Sequence, residues 1–301
     1  MSQTDHPAVS WLGAGRMGLA MAERLLDGGV EVWAWNRTAG KLDGLLSRGA
    51  RPLTAPGLSP APVAFSMVLD DHALDRLWAA EDGILSGDRP PEVWVDCSTV
   101  STAASDRAAA AAAARGVGFV CAPVSGNPGV VRSGNLIFAV SGAPAAVAMA
   151  GPLLGLIGRG HYIVGTGSEA RVVKLCTNLV LAVLTQALAE ALVLGQSAGV
   201  SRAALMEFIN DSAIGSPFTR YKTEALVDLE LTPAFTPEGQ RKDLRLALAL
   251  AAERDVTMPA SSVTEIAFTR LIASGLGAER DFAALLLLAA QDAGIALNPE
   301  A

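Results

Sequence analysis

A glycine turn near the start of the chain is the first group of residues suited to chemistry. It follows the apolar stretch Ala8 to Leu12, opens the helix-like segment Met17 to Leu26, and comprises Gly13, Ala14, Gly15, Arg16, Met17 and Gly18. In such a turn the first glycine permits tight bending, the second lets a pyrophosphate approach the backbone, and the third lets helix and strand pack closely. The helix N-terminus adds amide donors and partial positive charge. The turn therefore predicts a dinucleotide phosphate site.

The residues after the second predicted strand indicate which dinucleotide binds. Glu31 to Trp35 is typical of that strand, and it is followed by Asn36, Arg37 and Thr38, with Lys41 just beyond. An acidic residue here would repel a 2′-phosphate, whereas a guanidinium binds it through charge-assisted hydrogen bonds. We therefore predict NADP(H) in preference to NAD(H). The alternative is that Arg37 is only a solvated surface charge.

A second donor-rich loop contains Ser125, Gly126 and Asn127, within Ala122 to Gly129. A serine hydroxyl and successive loop amides form a concavity that suits an anion without a full positive charge. We predict that these three residues bind a small carboxylate substrate. The alternative is a glycine-rich connection between strands.

Lys174 and Asn178 lie four residues apart on a long predicted helix, so both side chains can point into one cleft. A lysine on an otherwise apolar helix is costly unless it is paired or functional, and burial lowers its pKa toward the range useful for proton transfer. Lys174 is therefore the best general acid/base candidate. The alternative is a lysine that extends to solvent near the helix start.

Together with the glycine turn, three segments make nearly the whole chain resemble the β-hydroxyacid dehydrogenase family, which includes 3-hydroxyisobutyrate dehydrogenase and the tartronate semialdehyde and glyoxylate reductases. The segments are Asp96-Cys97-Ser98-Thr99 with the loop at Ala122 to Gly129 and Ser133-Gly134-Asn135-Leu136, then Lys174 to Asn178, and then Arg241 to Ala247. The resemblance implies NADP-dependent hydride transfer between nicotinamide and a small β-hydroxy acid or semialdehyde.

The resemblance also implies roles for particular residues. Lys174 transfers a proton to or from the substrate oxygen, Asn178 orients the substrate or the lysine, and the loop at Ser125 binds the substrate carboxylate. The additional cofactor-binding residues are Val68, Leu69, Thr99 and Lys242. The choice of substrate and the physiological direction stay open.

The chain departs from the family pattern in three places. Asn127 stands where a second glycine is more common, Thr177 replaces one of two adjacent asparagines, and Ser168-Glu169-Ala170 replaces a Gly-x-Gly before the lysine. The two key positions, Lys174 and Asn178, are intact.

Two other functions fit parts of this pattern. An NADPH-dependent imine reductase shares the two-domain plan, but such enzymes generally carry aspartate or tyrosine where Lys174 stands. A non-catalytic NADPH-binding module is also open, because fold alone never proves activity.

The elements that must position these residues fall into two parts. Over residues 1–166, short β-branched runs alternate with helical ones, which predicts parallel βαβ units and an NADP-binding Rossmann domain. The strands expected there include Val63 to Leu69, Glu92 to Asp96, Val117 to Cys121 and Leu136 to Ser141, with a crossover helix at Arg107 to Arg115. Residues 167–301 show helical periodicity, beginning with a long helix near Ala170 to Ala198. The predicted fold class is an α/β Rossmann-type dinucleotide-binding domain followed by an all-α C-terminal domain for substrate binding and dimerisation.

Composition narrows the classes of partner. The chain has 301 residues, 51% hydrophobic and 18% charged, which predicts a large buried core, and a net charge of −7 without a basic run argues against nucleic-acid binding. Three dispersed cysteines and three dispersed histidines have no ligand spacing, so we predict no metal, no disulfide framework and a reducing, cytoplasmic compartment.

Hydropathy raises the questions of membrane and assembly. The segment Leu175 to Leu194 is apolar but carries Asn178, Gln186 and Glu190, so we predict a helix buried in protein and no membrane contact. Coverage of such a helix by a second subunit predicts a homodimer or larger homo-oligomer. The polar stretch Met1 to Pro7 lacks the features of a signal peptide and is expected to be a short disordered lead-in.

Overall fold

The computed structural model describes residues 6–300, so the expected lead-in at Met1 to Pro7 lies outside the described residues except for its last two. The chain divides into two compact units, Met1–Leu175 and Cys176–Ala301. The division falls inside a helix and later than the predicted boundary at residue 166.

The first unit is built on one nine-stranded sheet. The strands are β1 Val9–Leu12, β2 Val32–Trp35, β3 Arg51–Pro52, β4 Val63–Ser66, β5 Val93–Asp96, β6 Gly118–Cys121, β7 Val124–Ser125, β8 Ile137–Gly142 and β9 Gly160–Gly165. Their spatial order is β3-β2-β1-β4-β5-β6-β8-β7, with β9 on the other side of β8. The six strands from β3 to β6 are parallel, whereas β8 runs antiparallel to β6.

All six expected strands are present at their predicted positions, although their first and last residues differ from the predicted ones. The expected strand at Val63 to Leu69 ends at Ser66, and the Met67 amide makes one more backbone hydrogen bond to β1, at the Leu12 carbonyl. The two-residue strands β3 and β7 and the six-residue strand β9 were not predicted. The antiparallel pairing of β8 with β6 and β7 departs from an all-parallel βαβ pattern.

Helices cover both faces of this sheet. They are α1 Arg16–Asp27, α2 Asp43–Leu46, α3 Asp71–Ala79, α4 Thr102–Ala114, α5 Pro128–Arg132 and α6 Pro144–Ile157, with short 3₁₀ helices at Ala39–Leu42 and Pro56–Leu58. One core packs α1 and α6 on the sheet, around Trp11 and Phe65. The opposite core packs α3 and α4, around Trp94. Two separate cores on one parallel sheet are the doubly wound arrangement that the sequence predicts.

The alanine-rich helix α4 is a crossover helix, as predicted, but it is longer than Arg107 to Arg115. Ala104, Ala108 and Ala112 recur at the helical repeat and are fully buried. Small residues on this face let the helix lie close to the sheet, so its alanines contribute to packing as well as to helix propensity.

The last helix of the first unit, α7 Glu169–Ser197, continues into the second. The other helices of the second unit are α8 Arg202–Asp211, α9 Pro217–Val227, α10 Pro237–Ala252, α11 Pro259–Ala273 and α12 Leu285–Asp292, with a 3₁₀ helix at Phe282–Ala284. Ser201, Ser216 and Thr236 cap the starts of α8, α9 and α10. The described part of this unit is therefore helical, as predicted.

Two buried cations hold the second unit together. Arg202 donates to the carbonyls of Leu226, Val227 and Asn298, which joins the end of α9 to the C-terminal segment. Lys222 pairs with Asp281 at 2.5 Å, and burial lowers the pKa of this lysine. Both cations are fully paired, as buried charges must be.

Among the described residues, α7 is long and apolar enough to cross a membrane by length and composition alone. The core helix of a soluble protein passes the same test. The helix also carries Lys174, Gln186 and Glu190, which are costly in hydrocarbon.

Candidate active site

The carboxyl ends of five neighbouring strands form one straight edge of the sheet. Leu12 is the register partner of both Trp35 and Ser66, Ser66 is the partner of Asp96, and Asp96 is the partner of Cys121. The residues that follow these strands include Gly13, Asn36, Met67, Cys97 and Ala122. In open α/β sheets ligands bind outside this edge. The predicted cofactor residues of the glycine turn and of the loops after β2, β4 and β5 therefore all lie on segments that leave the sheet at this edge.

The first and third glycines of the turn are required by packing. Gly13 has a φ of +110°, and a Cβ there would lie 2.3 Å from the carbonyl oxygen of Met67. A Cβ on Gly18 would lie 2.1 Å from the carbonyl oxygen of Gly13. Both positions therefore exclude any side chain.

Gly15 differs from these two glycines. It is the N-cap of α1, makes no side-chain cap, has an ordinary φ of −76°, and a Cβ there would meet nothing within 4 Å. The open space lies beside the first amides of α1, which have no partner within the helix. This geometry fits a bound pyrophosphate, with Arg16 exposed and Met17 partly buried beside it.

The residues after β2 divide into a structural and an exposed group. The Asn36 side chain accepts a hydrogen bond from the Ala14 amide at 2.9 Å and donates to the Thr38 carbonyl at 2.8 Å. It therefore braces the glycine turn, a role that the sequence did not predict. Arg37, Thr38 and Lys41 are exposed.

The loops after β4 and β5 are joined to each other. The Val68 amide donates to the Ser98 hydroxyl at 2.9 Å. Val68 and Thr99 are partly buried, whereas Leu69 is 73% exposed. These three predicted cofactor residues therefore follow adjacent strands.

The predicted substrate loop has a defined conformation. Ser125 pairs with Ile137 in the sheet, and Gly126 has a φ of +146° with no room for a Cβ against Leu136 and Val130. The Asn127 side-chain oxygen caps α5 by accepting from the Val130 amide at 3.1 Å. Part of the Asn127 side chain therefore stabilises the loop.

A fully buried polar network, absent from the sequence predictions, lies at the end of β5. One oxygen of Asp96 accepts hydrogen bonds from the hydroxyls of Ser66, at 2.5 Å, and Ser98, at 2.8 Å. The Ser66 hydroxyl in turn accepts from the Trp94 indole at 2.8 Å. The other oxygen of Asp96 pairs with Arg171 at 2.5 Å, and both side chains are 0% exposed.

Arg171 connects this network to α7. Its guanidinium also donates to the carbonyls of Ser98, at 2.5 Å, and Asp96, at 3.1 Å, and to the Ser105 hydroxyl at 3.1 Å. Burial alone would lower the pKa of Arg171, but nearby negative charge, including that of Asp96, raises it. The sequence holds one signal that could have identified Arg171 as a buried, paired residue. Like Lys174, it is a cation on an apolar helix, which is costly unless it is paired or functional.

Lys174 lies three residues after Arg171 on α7 and is partly buried. Residues at this spacing occupy one face of a helix. Lys174 is therefore carried by a turn of helix that is bound to the carboxyl edge of the sheet.

The remaining predicted residues belong to the second unit. The Asn178 side-chain amide donates to the Asp243 carboxylate at 2.5 Å. The backbone carbonyl of Asn178 accepts from the Gln240 side chain at 2.7 Å. Lys242 pairs with Asp243 at 2.8 Å. Within this unit, Asp243 therefore joins α10 to α7. It belongs to the segment Arg241 to Ala247 that the sequence analysis singled out.

Among the residues that the structure describes, no group of three or more His, Cys, Asp or Glu side chains could hold a metal ion. Cys97 and Cys121 are buried free thiols, and Cys176 is an exposed one. Burial raises the pKa of the Cys97 thiol well above its usual value.

A doubly wound sheet with a glycine turn at its carboxyl edge, opening a helix whose first amides are free, defines the class of dinucleotide-binding proteins. Two family descriptions match the chain. The NAD-binding domain of 6-phosphogluconate dehydrogenase matches residues 8–173, and the NAD-binding region of NADP-dependent 3-hydroxyisobutyrate dehydrogenase matches residues 168–289.

Individual relatives agree with this assignment. Glyoxylate/succinic semialdehyde reductase 1 of Arabidopsis thaliana is 31% identical over 92% of this chain and 96% of its own. An NAD-dependent L-serine dehydrogenase of Pseudomonas aeruginosa is 30% identical over 91% and 95%. Among solved structures, the 3-hydroxyisobutyrate dehydrogenase of Mycobacterium tuberculosis with L-serine has a TM-score of 0.84 at 25% identity, covering 94% of this chain and 99% of its own.

A Streptomyces aurantiacus imine reductase has a TM-score of 0.62 at 22% identity, covering 93% of this chain and 99% of its own, a likeness of fold alone.

The chain belongs to the β-hydroxyacid dehydrogenase family of oxidoreductases, and its cofactor is a nicotinamide dinucleotide.

The different surroundings of Gly13 and Gly15 lead to a matched pair of variants. Gly13→Ala should lower the free energy of unfolding of the cofactor-free protein by about 1–3 kcal/mol or more, because φ is strained and Met67 obstructs the methyl group. Gly15→Ala should leave that stability within about 1 kcal/mol, the scale of an N-cap substitution, but weaken binding of the reduced nicotinamide dinucleotide about tenfold, because its methyl occupies open space beside the helix N-terminus. Urea unfolding and fluorescence titration with NADH and NADPH measure the two effects. Unchanged affinity for both dinucleotides in Gly15→Ala would contradict a phosphate site at this turn.

Proposed function

We propose that this protein is an NADP(H)-dependent oxidoreductase of small β-hydroxy acids or their semialdehydes, in which Lys174 is the general acid/base. The observation that carries the proposal is the position of Lys174 on the turn of α7 that Arg171 binds to the end of β5. Asn178 follows one turn later, at a spacing that presents both side chains on one helix face.

The division of labour follows from the chemistry of hydride transfer. A bound nicotinamide supplies or accepts the hydride. Lys174 exchanges the one remaining proton: in reduction its ammonium donates to the carbonyl oxygen as that oxygen gains charge, and in oxidation its amine accepts the hydroxyl proton. Asn178 orients the lysine or the substrate.

The substrate loop contributes recognition of a carboxylate. The Ser125 hydroxyl and the amides around Gly126 are donors, and the close packing of Gly126 against Leu136 and Val130 fixes their direction. Asn127 retains an amide group besides the oxygen that caps α5. We infer that this group favours a substrate with a polar substituent over a purely aliphatic one.

Preference for NADP(H) is supported by the charge after β2. Arg37 and Lys41 are exposed cations beyond the strand end, and Asn36 occupies the position where NAD-selective folds place an acid. A relative named as NAD-dependent lies at similar identity to this chain, so the preference rests on these residues.

An imine reductase is the alternative with the same fold. Lys174 argues against it, because a general acid of this kind suits a carbonyl or hydroxyl oxygen. A non-catalytic NADPH-binding module would have no need for a lysine anchored in this way.

We further propose a homodimer or larger homo-oligomer in a reducing, cytoplasmic compartment, free of nucleic acid, membrane and metal. Val180, Ala187 and Leu194 recur every seven residues along α7 and are exposed, and Val263 and Ile266 form an exposed apolar pair on α11. Exposed apolar side chains that repeat along one helix face are typical of a surface that a second subunit covers. Three free cysteines support a reducing compartment.

Replacement of Lys174 tests the acid/base assignment. Lys174→Ala should lower kcat by about 10² to 10⁴ and leave the NADPH dissociation constant nearly unchanged, because the proton donor is lost while the phosphate site is intact. Steady-state rates with small aldehydo and keto acids, and with 3-hydroxy acids and serine in reverse, measure this. Glu190→Gln, farther along the same helix and exposed, is the control with normal turnover. Near-normal kcat in Lys174→Ala would refute the assignment.

Replacement of Arg37 tests cofactor preference. Arg37→Ala should raise the KM for NADPH by about 10- to 100-fold and leave the KM for NADH within about twofold, because one charge-assisted contact to the 2′-phosphate is worth about 1.5–3 kcal/mol. Arg48→Ala, which removes another exposed arginine, is the matched control. Equal effects on both cofactors would contradict a role in 2′-phosphate binding.

Sedimentation tests the proposed assembly. The wild type should sediment as a dimer or larger species at micromolar concentration, and Leu194→Glu should shift it toward monomer with unchanged helicity, because a charge would be buried in the interface. A monomeric wild type would be inconsistent with the proposal.

A further inference from the structure

We propose that Arg171 is a positioning residue for Lys174. Its buried guanidinium binds Asp96 and the Ser98 carbonyl, and thereby sets the place of the first turns of α7 on the sheet edge. The inference rests on the proposed function of Lys174, and it adds a residue that acts through that lysine.

The contacts of Arg171 reach three different parts of the first unit. They are the strand end at Asp96, the following loop at Ser98, and α4 at Ser105. A planar guanidinium with donors in fixed directions can satisfy these acceptors only in one orientation. The side chain therefore specifies both the distance of α7 from β5 and its rotation.

The partner of Arg171 is itself fixed. Asp96 is held by Ser66 and Ser98 through its other oxygen, and Ser98 also accepts from the Val68 amide. Through these hydrogen bonds the network connects α7 to the two loops that carry Val68 and Thr99. A displacement of Arg171 would break its hydrogen bonds to Asp96 and to the Ser98 carbonyl.

A second contact holds only the tip of the helix. The Ser141 hydroxyl accepts from the Ala170 amide at 3.1 Å and donates to the Gly167 carbonyl at 2.7 Å. Backbone contacts at the tip do not set rotation about the helix axis. Ala170 and Leu175 are buried as well, but Arg171, three residues before Lys174, is the one of these three whose side chain makes directional polar contacts, and such contacts constrain that rotation.

Energetics favour positioning over stability as the role of this pair. A buried ion pair is often no more stabilising than well-packed apolar residues of similar size, whereas removal of one partner is strongly destabilising. A double substitution can therefore restore stability without restoring geometry. That difference separates the two roles.

The test is a double-mutant cycle of Asp96→Asn and Arg171→Met, with melting temperature of the cofactor-free protein and kcat measured for each variant. Each single substitution should lower both quantities. In the double variant the melting temperature should recover at least half of the larger loss, while kcat should stay about 10²-fold below wild type, as expected for a misplaced catalytic group. Arg171→Lys should be intermediate, because one ammonium cannot reach all the acceptors.

A spectroscopic measurement reports on Lys174 without turnover. The chain has only four lysines, Lys41, Lys174, Lys222 and Lys242, so ¹³C-methylation gives few lysine resonances. The Lys174 resonance, assigned by its loss in Lys174→Ala, should shift in Arg171→Met and in the double variant. The Lys41 resonance should not move.

Ser66→Ala is the matched control. It removes one of three hydrogen bonds to the same buried carboxylate, leaves those from Ser98 and Arg171 to hold Asp96, and touches no residue of α7. It should lower the melting temperature, keep kcat within about twofold of wild type, and leave the Lys174 resonance in place.

The outcomes are distinguishable. Recovery of kcat together with stability in the double variant, or an unmoved Lys174 resonance in Arg171→Met, would overturn the positioning role. Absence of wild-type turnover on the carboxylate panel, or normal kcat in Lys174→Ala, would instead overturn the proposed function, and the resonance would still decide whether Arg171 positions Lys174.

Discussion

Alignment of the strand ends is the constraint on which the first unit depends. Leu12, Trp35, Ser66 and Asp96 share one line of register, so the loops that follow them emerge side by side. A shift of one residue in any strand would turn its core side chains to the other face.

Polar side chains join the loops along this edge. Asn36 links the glycine turn to the end of β2, and Ser98 links the loops after β4 and β5. Asp96 and Arg171 extend the connections to α7. In a site that must hold a dinucleotide in fixed geometry, such buried and satisfied networks favour one arrangement over its neighbours.

The second unit shows the same principle around different residues. Asp281 accepts from Lys222 and from the Ala234 amide, and Asp243 accepts from Asn178. Each buried acid connects two elements: Asp281 caps the 3₁₀ helix Phe282–Ala284 and binds α9, and Asp243 lies within α10 and binds α7. The departures from the family pattern at Thr177 and Glu169 leave these junctions intact.

The sequence alone determined the elements and the class of chemistry. Gly13, Gly15 and Gly18 between an apolar strand and a helix predicted the dinucleotide turn. The change near residue 167, from β-branched runs alternating with helical ones to helical periodicity alone, predicted the all-α second part. The glycine turn depends on local backbone sterics, and helical periodicity depends on burial of one face of each helix. Residues close together in the sequence specify both. The lysine on α7 stood out for the same local reason.

Only the tertiary structure decided the polar connections. Asp96 and Arg171 are 75 residues apart in sequence, and no local pattern indicated that they pair, or that Asn36 braces the glycine turn and Asn127 caps a short helix. The antiparallel pairing of β8 was also invisible, because an apolar strand buried in a sheet has the same composition in either direction. Pair formation between distant residues depends on how the whole sheet and its crossovers close, and that closure is a property of the folded chain.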